Sequence, residues 1–496
     1  MNHCSRLQLV SLLLMLIPTI VFGGTQVVRT QGHEITFSTQ GGAPVSWVSC
    51  FPDCTDEDAV RATWFDNGDG YFLWSVDKSV DLSKLLAATD FSFTQYETDE
   101  HVVLTAVSDS AVGGNVVSIE YRIPKTGYRI ELSATGLEPL HLTVASGDIF
   151  VPEQLPGFGA IYSKVRPLLL VQYEPEYIEP PAEGWQYEDM HVLSSIGLRN
   201  RYWVWVMKPG LQTTGKAANA RINRPVVDLA AARDSDFQAS LYVGPTEFDS
   251  LKQASPGMPG LLFAAIWDWL RALSFGLLHL LDWLYSLVGN YGVAIILLSL
   301  TVKILMFPLT YVADKWQAQV NATASMLKPK LDEIKKNYSG EEAHNRILAV
   351  YKEHDVSQFY TLRSLFGFLI QIPVFIAAFD MLAENFVLSQ ASFLWIEDLS
   401  KPDSVLSLPF VLPFFGGELN LLPFVMTALT ILSAIVQEEA DLTPDLMRQQ
   451  RIKLFLMAAA FFLLFYTFPA GMVLYWSANN LFHLLKILPE RLRRTS

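Results

Sequence analysis

Charge is what this sequence has little of. Asp, Glu, Lys and Arg make up 17% of its 496 residues, against about a quarter in a soluble globular chain. Basic residues are the scarcer sign, 36 Lys and Arg against 50 Asp and Glu, for a net charge of -14. That balance excludes a nucleic-acid binder working through a positive footprint. Three cysteines exclude a disulfide-rich miniprotein, and a hydrophobic content of 51% excludes a disordered or collagen-like chain. Catalytic signatures are absent too. There is no Walker A or dinucleotide fingerprint, no H-E-x-x-H and no G-x-S-x-G, so no nucleotide, metal or acyl-transfer chemistry is indicated. Asp66-Asn67-Gly68-Asp69-Gly70 lacks EF-hand ligand spacing and reads as a turn. The length allows two to four domains.

What is present is unevenly placed. A mean hydropathy of +0.26 sits oddly with an acidic chain until the halves are separated. Residues 25–255 hold acidic runs such as Asp56-Glu57-Asp58, whereas long apolar runs begin after residue 260. Residues 1–24 are a separate piece. Arg6 precedes a mostly apolar stretch, Leu7 to Phe22, with small residues at Val21 and Gly23. This fits either a signal peptide cleaved after Gly23 or a retained anchor, and both readings export residues 25–255. In that exported segment, strand-like stretches recur at 102–107, 116–123, 128–133, 140–145 and 202–207, separated by turn residues, which predicts a β-sandwich. Cys50 and Cys54 lie in this exported part, where a local disulfide is plausible. Two cysteines without clustered histidines do not complete a zinc site.

Residues 258–290 predict an amphipathic helix lying in the membrane interface. Asp268, Arg271, His279 and Asp282 fall within an arc of about 80° at 100° per residue, and Trp267, Trp269 and Trp283 suit the headgroup region. A packed helix or an extra span is the alternative. Five spans come next, at 291–311, 364–387, 420–437, 453–469 and 470–488, the last two split by Pro469 and Gly471. Loop 312–363 carries Lys315, Lys328, Lys330, Lys335, Lys336, Arg346, Lys352 and Arg363, loop 438–452 carries Arg448 and Arg451, and the tail 489–496 carries Arg491, Arg493 and Arg494. Loop 388–419 has only Lys401. The positive-inside rule then puts the first three in the cytoplasm, and the β domain with 388–419 outside. Loop 312–363 predicts a helical hairpin, Lys315 to Tyr338 and Glu341 to His354, broken at Ser339-Gly340. It is either a docking arm for cytoplasmic partners or a solvated connector.

Lys303 stands out because it lies well inside the first span, about 18 Å from Tyr291 along a helix rising 1.5 Å per residue. A charge at that depth is costly and usually faces a polar cavity, although a lysine can also snorkel towards the inner boundary. Ser299 shares its face. Asp380 and Glu384, at i, i+4 in the second span, either meet Lys303 across the bundle or lie near the outer boundary. Gln371 and Asn480 add polarity, with helix–helix hydrogen bonding as their plainer role.

Several motifs then resemble one family. Val302-Lys303-Ile304-Leu305-Met306-Phe307-Pro308-Leu309-Thr310, Leu327-Lys328-Pro329-Lys330, Leu369-Ile370-Gln371-Ile372-Pro373-Val374-Phe375, Leu394-Trp395-Ile396-Glu397-Asp398-Leu399 and Phe468-Pro469-Ala470-Gly471-Met472-Val473-Leu474-Tyr475-Trp476 are similar to those of the YidC membrane-protein insertase family. Leu241-Tyr242-Val243-Gly244-Pro245 resembles the end of that family's periplasmic domain. The resemblance implies a bacterial inner-membrane protein with a periplasmic β-supersandwich, a five-helix core over 291–488 and a cytoplasmic hairpin. The core would hold a hydrophilic groove lined by Lys303, Ser299, Gln371, Asp380, Tyr475, Trp476 and Asn480. It implies a non-enzymatic insertase and chaperone without cofactors, acting on nascent membrane proteins alone or beside the Sec translocon. Lys328, Lys330, Lys335, Lys336, Arg448 and Arg451 become candidate contacts to the ribosome or other cytoplasmic partners. Two departures matter. Lysine stands at 303 where the family often has arginine, and Asp380 falls where similar sequences tend to carry an uncharged residue. The competing readings are an ion-coupled transporter using Lys303, Asp380 and Glu384, and an anchored carbohydrate enzyme. The enzyme would need clustered acids or histidines, but His101, His141 and His191 are scattered in sequence.

Overall fold

A computed structural model describes residues 19–21, 24–76, 79–137, 140–150, 155–162, 164–171, 174–177, 194–209, 213–221, 224–231, 236–263, 267–357, 359–360, 362–436 and 444–495. The chain forms two units, one of residues 1–154 and 160–264, the other of 155–159 and 265–496. The predicted signal or anchor segment lies outside the described residues except for Thr19–Val21. Those three residues, expected to end the apolar segment, form a strand against Phe91–Glu97.

The first unit is β-rich. One sheet runs, in spatial order, Thr19–Val21, Phe91–Glu97, His101–Ser108, Ser118–Pro124, Arg129–Thr135, Phe237–Pro245, Trp203–Pro209, Ser194–Arg199, Arg166–Val171 and Glu174–Tyr177. A second holds Thr213–Arg221, Arg224–Ala231, Leu140–Ala145 and Tyr71–Val76, and a third Thr25–Arg29, His33–Ser38, Pro44–Phe51 and Val60–Asp66. The described pairings are antiparallel. Strict alternation produces this. In Arg129–Thr135, Ile130, Leu132 and Ala134 are buried and the residues between them are not, so one face of the strand turns to the core. Two helices accompany the sheets, α1 at Val80–Ala88 and α2 at Phe248–Ala254.

Aromatic side chains from all three sheets meet in the core. Phe37 packs on Phe93 and Tyr121, and Trp74 packs on Phe72 and Phe237. Their polar atoms are paired, as burial demands. Trp74 Nε1 donates to the Tyr121 hydroxyl at 3.0 Å, which donates to the Gly42 carbonyl at 3.0 Å. Burial pushes the Tyr121 phenol well above its usual range, so it remains a donor. Cys50 and Cys54 are disulfide-bonded. The Asp66–Gly70 segment is a turn, with Asn67, Gly68 and Gly70 at positive φ.

The second unit is helical: α3 Asp268–Val288, α4 Tyr291–Asn337, α5 Gly340–Glu353, α6 Leu362–Glu384, α7 Leu422–Val436, α8 Pro444–Phe465 and α9 Ala470–Thr495. Gly289 ends α3 in the left-handed conformation and Asn290 caps α4, accepting from the Val293 N–H at 3.1 Å. Two residues thus turn one helix into the next. The predicted 258–290 helix begins only at Asp268, because residues 258–261 form a separate 3₁₀ turn. One face of α3 buries Leu270, Leu277, Leu281 and Leu284, and Ser274 Oγ donates to the Ala377 carbonyl at 3.2 Å. The opposite side leaves Trp267 72% exposed, with Trp269 and Trp283 exposed as well.

The elements differ in detail from the sequence expectation at four further places. The first span and the first hairpin arm are one unbroken 47-residue helix, α4, which runs through Pro308 and Pro329. Arg448 and Arg451 lie in the opening turns of α8 and not in a loop, and the basic tail continues α9 to Thr495. Loop 388–419 contains a two-stranded sheet, Leu406–Leu412 with Gly416–Leu419. By length and composition, α4 is the one described helix apolar enough to cross a membrane, and α7 is a shorter apolar helix.

Candidate functional site

Lys303 is the only charged residue between Tyr291 and Val312. It is half-buried, and its ammonium donates to the backbone carbonyl and to Oδ1 of Asn479, both at 3.1 Å. An ammonium taken from water needs such acceptors. The carbonyl it uses belongs to α9, so the charge ties α4 to α9. One turn before Lys303, Ser299 is buried and its Oγ has no hydrogen-bond partner among the described residues. Beside Asn479, Asn480 Nδ2 donates to Thr430 Oγ1 at 2.8 Å, linking α9 to α7. At the far end of this contact, Lys486 Nζ meets Asp314 Oδ2 at 2.9 Å. The result is a polar seam in otherwise apolar helices, carrying a positive charge held by neutral acceptors.

The predicted groove residues divide. Lys303, Ser299 and Asn480 border the seam. Tyr475 is buried, and Trp476 joins an aromatic cluster with Phe375, Phe461 and Phe465 at ring separations of 4.9, 5.4 and 5.8 Å; both pack as core. Gln371 is exposed on α6. Asp380, half-buried on α6, is not the partner of Lys303, whose hydrogen bonds both go to Asn479. Sequence reasoning does not single out Asn479. Its signal is a polar stripe, Asn479, His483 and Lys486 at i, i+4 and i+7, which puts all three on one face.

The helical hairpin forms between α4 and α5. Leu327 and Ala343 are buried, Lys330 Nζ approaches Glu353 Oε1 at 3.6 Å, and the Arg346 guanidinium lies 3.8 Å over the Tyr338 ring. Lys330, Lys335, Lys336 and Arg448 are exposed, whereas Lys328 and Arg451 are half-buried. No group of three or more His, Cys, Asp or Glu suited to a metal occurs among the described residues.

Comparison with known proteins bears on this helical unit. A family model described as 60Kd inner membrane protein matches residues 283–489. Through this region the chain is similar to the YidC family. The membrane protein insertase YidC of Chlorobium phaeovibrioides is 28% identical over 302 residues, covering 58% of this chain and 50% of its own. That of Marinobacter nauticus is 34% identical over 261 residues, covering 52% and 41%. The chain thus spans about half the length of the YidC relatives it matches. A solved YidC insertase with its first transmembrane domain resolved aligns with 97% of this chain at 17% identity and a TM-score of 0.38. YidC relatives are inner-membrane proteins by their family description. Lys303, Asn480 and Lys486 all fall inside the matched region.

Proposed function

We propose that this protein is an inner-membrane insertase and chaperone that receives segments of nascent membrane proteins at the Lys303 seam. The observation carrying this reading is the ammonium held at half-burial by the two Asn479 oxygens, in a region with the insertase family's sequence. A fixed positive charge bordered by hydroxyl and amide groups lowers the cost of bringing a short polar or acidic tail partway into the bilayer. The adjoining apolar segment then partitions into lipid, driven by its own hydrophobicity and, for acidic tails, by the membrane potential. No cofactor or nucleotide takes part.

In the same reading, α4, α6, α7, α8 and α9 cross the membrane. The β-rich unit is periplasmic, and the hairpin, the start of α8 and the end of α9 are cytoplasmic. Basic residues on the cytoplasmic segments support that orientation. The exposed Lys330, Lys335, Lys336 and Arg448 suit contacts with the ribosome, and the Sec translocon is a second partner. Residues 1–24 serve as the signal peptide or anchor. The ion-coupled transporter loses its support because Lys303 pairs with a neutral residue, so no Lys303–Asp380 ion pair is available to couple ions.

The test is complementation. In cells depleted of their own insertase, the unaltered chain and Lys303→Arg restore insertion of a client with an acidic tail, and Lys303→Ala does so poorly at equal abundance. Full rescue by Lys303→Ala would sink the role given to this charge.

A further inference from the structure

The loop between α6 and α7 carries a feature that insertion does not require. From Ser404 to Gly417 there are fourteen residues and no charge. They form most of the hairpin of Leu406–Leu412 and Gly416–Leu419, which pairs with no other strand among the described residues. Leu406, Phe410, Val411, Leu412 and Phe414 are exposed, Val411 by 78%. A lone two-stranded hairpin is marginal in water, and so much apolar surface marks a place where something else sits.

We propose that this hairpin lies in the outer leaflet of the bilayer, at the boundary between headgroups and acyl chains. Three observations favour lipid over a protein partner. First, Pro409 inside the longer strand and Pro413 after it remove amide donors, which opposes pairing with another chain's strand. Second, exposed apolar residues continue past the hairpin, at Leu421 before α7 and at Phe424 and Val425 within it. Third, α7 is short. Its 15 residues span about 22 Å at 1.5 Å per residue, against about 30 Å of hydrocarbon, and Glu438 and Glu439 come soon after it. The hairpin supplies apolar surface at the outer end where the helix runs out. The open strand edges fix the depth. Unpaired backbone groups are not tolerated in the hydrocarbon centre, but at the boundary, water still reaches them.

The proposal rests on the reading of the helical unit as embedded with loop 388–419 outward. Its test uses the full chain, with Cys4→Ser, in vesicles of phosphatidylethanolamine and phosphatidylglycerol. Single cysteines at Val411→Cys and Phe410→Cys carry an environment-sensitive fluorophore. Val116→Cys in the β-rich unit is the aqueous reference, and Leu305→Cys on α4, 67% exposed, is the deep-membrane reference. The expected result is loss of iodide quenching at 410 and 411 relative to 116, with quenching by lipids bearing a nitroxide high on the acyl chain. Iodide quenching equal to that at 116 places the hairpin in water and overturns the proposal. Protection from both iodide and lipid quenchers places it under protein and also overturns it. A Leu305 label blind to the deep nitroxide overturns the membrane reading itself, and the proposal with it, which separates the two failures.

Discussion

At the scale of single residues, two cationic-type side chains, Lys303 and His33, are handled in opposite ways. Lys303 stays half-buried because Asn479 supplies two oxygens. Asn479→Ala keeps the backbone acceptor and removes the side-chain one, so it is expected to lower client insertion less than Lys303→Ala does. A complementation assay at matched abundance ranks the two, and an Asn479→Ala defect equal to that of Lys303→Ala would show that the side chain carries the whole effect. His33 has no such acceptor pair. It is fully buried among Trp47, Ser49 and Tyr128, and burial depresses its imidazole from 6.5 to about 3. The folded chain therefore keeps His33 neutral while the unfolded chain takes up a proton below 6.5. Stability is present above that value and falls as the pH drops from 6.5 towards 3, by up to about 1.4 kcal/mol per pH unit. Pulse proteolysis in urea across this range reads the slope, and His33→Gln is expected to flatten it.

At the scale of elements, Asp403 organises loop 388–419. Its buried Oδ2 accepts from the Leu421 and Leu422 amides at 2.9 and 2.7 Å and from Trp395 Nε1 at 3.1 Å. It so caps the positive end of α7. Asp403→Ala leaves three donors unpaired, each costing roughly 1–3 kcal/mol if it stays buried. The expected outcome is faster hydrogen exchange in α7 and in the hairpin that precedes it. Gly292 makes a second joint. A Cβ there would collide with the Phe393 ring, so Gly292→Leu is expected to free loop 388–419 to protease while α5 remains protected. Most elements were legible in the sequence. Strand-like composition marked the strands at 101–108 and 140–145, and the expected boundary at 290/291 falls at the α3–α4 turn. The continuity of α4 was not, because the change from apolar to charged residues near 312 reads as an end of structure when it is only a change of surroundings. The hairpin at 406–419 was hidden by its mostly apolar, proline-interrupted composition, which lacks the period-2 signal of a half-buried strand.

For the whole molecule, the acidic and apolar characters that coexist in the composition belong to different units. The sequence already carried that division, and it singled out position 303 for its depth in an apolar helix. It could not carry the partner of Lys303, since Asn479 and Asn480 are adjacent in the chain and only packing decides which one faces α4. It also could not carry the transfer of residues 155–159 to the helical unit, where Gly159 N donates to Thr467 Oγ1 at 3.1 Å. A Cβ at Gly159 would run into the Thr467 carbonyl. Gly159→Val is therefore expected to detach this strap, read as new protease cleavage near residue 160 with α9 intact.

The unbroken course of α4 has a mechanical meaning. Its 47 residues make a rod about 70 Å long, and Asn337 stands about 50 Å beyond Lys303 at 1.5 Å per residue. Moving as one body, a helix of this length would act as a lever with its short end at the polar seam. Pivoting by about 5° at Lys303 would sweep the tip sideways by about 4 Å on the same rise per residue. Whatever docks on the hairpin therefore has leverage over the angle at which the ammonium meets α9.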